Sequence, residues 1–101
     1  MTGNADNLQE DMVYELKITP GELTLGRGED NTVTFKDASV STHHARITTL
    51  FNASYIEDLG STNGTYINGK KVQKHTLHDG DTVLLGEQLI RIVKSDLMSV
   101  V

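Results

Sequence analysis

The stretch DLGSTNGTYINGKKV, Asp58 to Val72, holds two Asn-Gly pairs, Asn63-Gly64 and Asn68-Gly69, separated only by Thr65, Tyr66 and Ile67. Asn and Gly tolerate positive φ, so each pair suits the two-residue turn whose twist matches its flanking strands. The stretch therefore reads as β-structure turned twice in a short span. Gly60, Ser61, Thr62 and Asn63 are small and polar, and are expected to present free backbone N–H groups on a loop open to close approach.

The same grammar continues on both sides. Upstream, Met12–Ile18 alternates apolar with polar residues and stops at Pro20-Gly21, and Leu23–Arg27 runs into the polar GEDN. Thr32–Phe35 is short and β-branched, Asp37–His43 is a loop rich in small hydroxyl residues, and His44–Leu50 pairs with Ser54–Leu59 around a turn at Asn52. Downstream, His78-Asp79-Gly80-Asp81 is a turn, and TVLLG and QLIRIV close a hairpin around Gly86-Glu87, the latter strand central in its sheet. About ten short strands with regular turn signals and no helical period predict an all-β sandwich or barrel. Residues 1–11 are polar and acidic and read as a disordered leader, 12–94 as the folded domain, and 95–101 as a tail or truncated linker.

Composition limits what such a domain can do. The chain has 101 residues, 37% of them hydrophobic, a mean hydropathy of −0.31 and a net charge of −5. That is one globular domain whose acidic balance argues against general nucleic-acid binding, which needs clustered Lys and Arg. No apolar run approaches the length of a membrane span and no secretory signal is visible, so no membrane partner and a cytoplasmic location are expected. Zero Cys excludes disulfides and thiolate chemistry.

No catalytic or metal set stands out, and no cofactor is expected. His43 and His44 are adjacent on an extended segment and face opposite ways. His75 and His78 have a ligand-like spacing but sit among turn residues, and Ser41 lacks the elbow and orienting acid of a serine hydrolase. What remains is a set of anion donors on loops: Arg27, Ser41, Thr42, Ser61, Thr62 and Asn63. The planar fork of Arg matches phosphate oxygens, and hydroxyls and loop N–H groups complete such a shell.

Gly26-Arg27, VSTHHARI (Val40–Ile47), DLGSTNGTYINGKKV and LHDGDTVLLG (Leu77–Gly86), in that order, resemble the forkhead-associated (FHA) domain. The resemblance covers roughly residues 12–94. It implies an eleven-stranded antiparallel β-sandwich of the FHA/SMAD kind, with loops at one end that bind phosphothreonine peptides and no enzymatic activity. By the same resemblance Arg27 pairs with the phosphate, Ser41 binds it, Thr62 contacts phosphate or peptide, and Asn63 holds the peptide backbone. Thr42 is a further phosphate contact. Gly26, His44, Gly64 and Asn68 are supports of the binding loops. The partner implied is a threonine-phosphorylated protein or peptide, with a Ser/Thr kinase upstream.

Thr42 departs from the pattern, because many members carry Arg, Lys or Asn there. Weaker phosphate binding is expected, since one lost charge-assisted hydrogen bond costs about 1.5–3 kcal/mol. His43 could substitute as an imidazolium. Family members often select the third residue after the phosphothreonine with the loop before Ser41. Here that loop offers Ser39 and Val40, with Lys36 upstream, and no strong demand for an acidic residue is expected. The alternative reading is a phospho-independent scaffold for oligomerisation or secretion-apparatus assembly.

Overall fold

The structure is a computed structural model that describes residues 13–94, so the readings of the leader and of the tail lie outside the described residues. Ten strands follow one another: β1 Val13–Lys17, β2 Gly21–Gly26, β3 Val33–Thr34, β4 Ala45–Leu50, β5 Ala53–Asp58, β6 Thr65–Ile67, β7 Lys70–Val72, β8 Lys74–Leu77, β9 Thr82–Leu85 and β10 Gln88–Val93. They form two five-stranded sheets, ordered β1-β10-β9-β6-β7 and β3-β2-β4-β5-β8. No helix occurs among the described residues.

The alternation seen in the sequence buries one face of each sheet against the other. Ala45 and Ile47 of β4 and Ile56 of β5 face Val83 and Leu85 of β9 and Ile90 and Ile92 of β10, all of them buried. Each large aliphatic side chain so buried contributes about 1.5–3 kcal/mol. Thr49 and Ser54, also buried, satisfy each other through a 2.8 Å hydroxyl pair across β4 and β5. Strand β10 lies between β1 and β9, with Arg91 on its outer face 3.5 Å from Glu15.

Three details differ from the sequence-based expectations. The described residues form ten strands rather than eleven, and the sandwich is mixed: β1 runs parallel to β10 and β2 parallel to β3, while the remaining pairs are antiparallel. The first and last strands meet side by side, a pairing that no local turn specifies. Strand β8 carried no period-two signal, since Lys74, His75 and Thr76 are all exposed and only Leu77 is buried.

The two Asn-Gly pairs have different roles. Asn68 and Gly69 take φ of 50° and 87° and join β6 to β7 with Ile67 opposite Lys70, the two-residue primed hairpin. At Asn63-Gly64 only Gly64 has positive φ, 88°, and the flanking β5 and β6 belong to different sheets. The first pair thus carries the chain from one sheet to the other and makes no hairpin. That crossover brings residues 59–64 beside the β3–β4 loop.

Candidate functional site

The end of β2 continues as a bridge to the β3–β4 loop: Arg27 N–H donates to Ser41 O at 2.9 Å and Gly28 N–H to Thr42 O at 3.1 Å. The approach is so close that a Cβ at Gly26 would stand 2.2 Å from Thr42 O, which only glycine avoids. From below, the buried Asn31 donates through Nδ2 to Gly28 O at 2.7 Å and to Thr42 O at 2.8 Å. Asn31 lay unnoticed in the polar GEDN turn, because its partner is eleven residues away.

His44 is fully buried and joins the second pair of loops. Its Nδ1 accepts the Ser41 N–H at 3.1 Å, which places the ring proton on Nε2, and Nε2 donates to Gly64 O at 2.9 Å. Both ring nitrogens are spent on backbone, so this histidine has no nitrogen free for proton transfer. The Gly64 φ of 88° turns its carbonyl into reach of that ring.

Asp58 organises the β5–β6 loop. Its Oδ2 accepts the N–H groups of Gly60 and Ser61 at 3.0 and 3.1 Å, and its Oδ1 accepts the hydroxyls of Ser61 and Thr65 at 2.6 and 2.7 Å. Burial alone would push this carboxyl up; the hydrogen bonds from Ser61, Thr65 and Gly60 outweigh it and hold it below the usual carboxylate range. Ser61 also accepts the Gly64 N–H at 2.9 Å. Ser61 is therefore turned inward and is not an anion donor, and the N–H groups of Gly60, Ser61, Thr62 and Gly64 are engaged rather than free. Asp58 begins the stretch that decides the fold, yet it was given no role in the sequence analysis, because a single acidic residue at a strand end carries no distinguishing signal.

Each remaining donor uses part of its capacity for position and keeps part for a ligand. Arg27 donates Nε to Val40 O at 2.9 Å, which aims the exposed guanidinium and leaves its terminal N–H groups uncommitted among the described residues. Ser41 Oγ accepts the Thr62 N–H at 3.0 Å and keeps its own proton to donate. Asn63 donates Nδ2 to Ser39 O at 2.8 Å, leaving its amide oxygen free to accept. Arg27, Ser41, Thr42, Thr62 and Asn63 all line one open depression of about 500 Å³, with His43 and Leu59 also at its wall.

Two residues are placed differently from expectation. His43 lies in the depression wall, but its Nε2 is 2.8 Å from Asp30 Oδ2, and that hydrogen bond holds the Asp30 carboxyl below its ordinary value. A positive charge on His43 would thus be shared with Asp30. Asn68 is not with the others: it sits at the far end of β6 from Gly64, three strand residues or about 10 Å away. There it clamps the β6–β7 turn to β9, with Nδ2 donating to Asp81 Oδ1 and Oδ1 accepting the Thr82 N–H, both at 3.0 Å. Its support is for that turn.

Ser39 and Gly86 complete the frame; the sequence analysis placed Gly86 in the closing hairpin turn but gave neither residue a part in holding the site. Ser39 Oγ donates to Asp37 Oδ1 at 2.7 Å and accepts the Glu87 N–H at 2.8 Å, and a Cβ at Gly86 would stand 2.2 Å from Ser39 O. Among the described residues no three His, Cys, Asp or Glu side chains are grouped to hold a metal ion, and no helix is long and apolar enough to cross a membrane.

Comparison with known proteins agrees with this geometry. The FHA domain family model matches residues 23–86. An ABC transporter ATP-binding/permease protein of Mycobacterium tuberculosis is 37% identical over 70 residues, 69% of this chain and 8% of that protein. FhaB of the same species is 48% identical over 68 residues, 60% of this chain and 44% of FhaB. The chain thus spans less than half the length of these relatives. Among solved structures, one described as an analysis of phosphothreonine-dependent FHA domain interactions superposes with a TM-score of 0.69 at 36% identity, covering 71% of this chain and 75% of the other. The FhaA FHA domain complexed with the intracellular domain of Rv3910 superposes with a TM-score of 0.70 at 35% identity, covering 73% and 81%. With the family model matched over residues 23–86, which include strands of both sheets, the chain belongs to the FHA domain family.

Proposed function

We propose that this domain binds threonine-phosphorylated peptides and acts as a recruiting module downstream of a Ser/Thr kinase, in the cytoplasm and within a folded unit spanning 12–94. The observation that carries the reading is that Arg27, Ser41 and Asn63 are each fixed by one hydrogen bond while an unspent donor or acceptor of each faces the same depression. A phosphothreonine carries about −1.5 to −2 charge at neutral pH and three acceptor oxygens. The Arg27 guanidinium and the Ser41 hydroxyl meet those oxygens, Thr42 adds an uncharged hydroxyl, and the Asn63 amide takes the peptide backbone beside the phosphate. Because these donors are held before the ligand arrives, little ordering entropy is lost on binding.

No catalytic role is proposed for the domain: both ring nitrogens of its buried histidine are spent on backbone. Calorimetry with a degenerate phosphothreonine peptide pool, beside unphosphorylated and phosphoserine pools and the Arg27→Ala protein, tests the reading. Binding confined to the phosphothreonine pool and lost with Arg27→Ala supports it. Binding indifferent to phosphate overturns it in favour of a phospho-independent scaffold.

A further inference from the structure

Glu87 occupies the second position of the β9–β10 turn, which Gly86 opens with a φ of 61° and which joins Leu85 to Gln88. Three contacts place this turn against the ligand-binding loops. The Glu87 N–H donates to Ser39 Oγ at 2.8 Å, Gly86 lies so close to Ser39 O that a Cβ there would stand 2.2 Å away, and Ser39 O in turn receives the Asn63 amide at 2.8 Å. Ala38 and Ser39 form one end of the depression. The turn therefore packs behind Ser39, just outside the lining of the depression and one residue removed from Asn63.

The Glu87 side chain is exposed and forms no ion pair with any described residue. Its backbone is pinned to Ser39, so the carboxylate is tethered within one side-chain length of the residue that lines the depression. Ser39 is two residues from Ser41, a span of at most about 7 Å, and a glutamate side chain adds reach beyond that. An extended peptide advances about 3.3 Å per residue. A bound peptide anchored at Ser41 by its phosphate passes Glu87 about two to four residues from the phosphothreonine.

Resting on the phosphothreonine reading, we infer that Glu87 is a specificity residue that selects a Lys or Arg in the bound phosphopeptide, about two to four residues from the phosphothreonine. The opposite charges of the ligand are read by separate loops: the phosphate by Arg27 and Ser41, and the cation by Glu87. The acidic chain as a whole favours the same ligand, a phosphopeptide with basic flanks, through longer-range attraction at low salt.

The test measures affinity for a phosphothreonine peptide with neutral flanks and for variants carrying one Lys at each position two to four residues to either side, using wild type, Glu87→Gln and Glu87→Lys. Glu87→Gln keeps the turn and its backbone contact with Ser39. The expected result is one Lys position that tightens wild-type binding by about two- to fivefold, the size of an exposed charge pair. That gain disappears in Glu87→Gln, and in Glu87→Lys a Glu at the same position replaces Lys as the preferred residue. Binding of the neutral peptide with no gain from Lys at any position, or a gain that survives Glu87→Gln, overturns the inference alone. Failure of wild type to bind the neutral phosphopeptide overturns the phosphothreonine reading, and the inference with it.

Discussion

Ser41 accepts the backbone N–H of Thr62 on its Oγ at 3.0 Å, although 21 residues separate the two. The bond occupies an acceptor site of the hydroxyl and leaves its proton for an incoming oxyanion. Ser41→Ala removes that donor and the Thr62 acceptor together. Phosphopeptide affinity is expected to fall tenfold or more, on the order of 1.5–3 kcal/mol for a hydrogen bond to a charged group. Because Thr62 is exposed, water replaces its lost partner and the melting temperature should barely move. Calorimetry and a thermal melt on the same variant separate the two effects.

Arg27 is the one Lys or Arg among the described residues that lines the depression. Arg27→Ala is expected to abolish measurable phosphopeptide binding while leaving the fold intact, since the residue is exposed. Arg27→Lys keeps the charge but loses both the planar fork and the Nε bond to Val40 O, so it recovers only part of the affinity. A salt titration checks the electrostatic origin: wild-type affinity declines with ionic strength and the small residual affinity of Arg27→Ala declines less.

His44 bridges two backbone groups, the Ser41 N–H and the Gly64 O, that make no other hydrogen bond among the described residues. In His44→Ala the Ser41 N–H and the Gly64 O lose their bonds and a cavity opens beneath the loops. Each orphaned buried group costs about 1–3 kcal/mol, a large share of the 5–15 kcal/mol that typically stabilises a domain. The denaturant midpoint should drop markedly, and a normal midpoint would remove the structural role assigned to this residue.

Glycines with positive φ separate conformational strain from collision. At Gly80, φ is 87° and an added Cβ meets nothing within 4 Å, so Gly80→Ala costs only the backbone strain, about 1–2 kcal/mol. At Gly86 the added Cβ meets Ser39 O at 2.2 Å, so Gly86→Ala must also push the turn off Ser39 and disturb the carbonyl that orients Asn63. Gly86→Ala should therefore lose both stability and phosphopeptide affinity, and Gly80→Ala stability alone, as read by paired melts and titrations.

Acid should unfold the site from Asp58. Its carboxyl is held below the usual range in the folded state, so it binds a proton more readily when unfolded. Its contribution to stability is complete above the unfolded value of about 3.9 and is lost as pH falls through the lower folded value. Asp58→Asn is expected to destabilise the domain at neutral pH, by breaking the bonds to Gly60, Ser61 and Thr65, and to flatten the stability profile below about pH 4. An unchanged acid limb in chemical denaturation would show that another carboxylate governs it.

The sequence analysis reached the β class and most strands because alternation and turn chemistry are properties of a few neighbouring residues. Ala45–Leu50 alternates buried and half-buried positions as its pattern of Ala, Ile and Thr dictates. It also named five of the residues that line the depression, first as anion donors on loops and then, with their roles, by the family resemblance. Strand β8 was not legible, since three exposed polar residues look the same in a strand as in a loop. Asn68 was grouped with the binding loops because it adjoins them in sequence, yet β6 carries it to the other end of the sheet.

What the sequence by itself determined was the kind of element each segment forms and the chemistry available on the loops. Tertiary structure decided how that chemistry is divided. It made one Asn-Gly a hairpin and the other a crossover, turned Ser61 inward to Asp58 and Ser41 outward, and set Gly86 against Ser39. The physical reason is that φ preference and side-chain period act over a few residues, whereas a hydroxyl's or an amide's partner is chosen among groups that only the closed sandwich brings within hydrogen-bond distance.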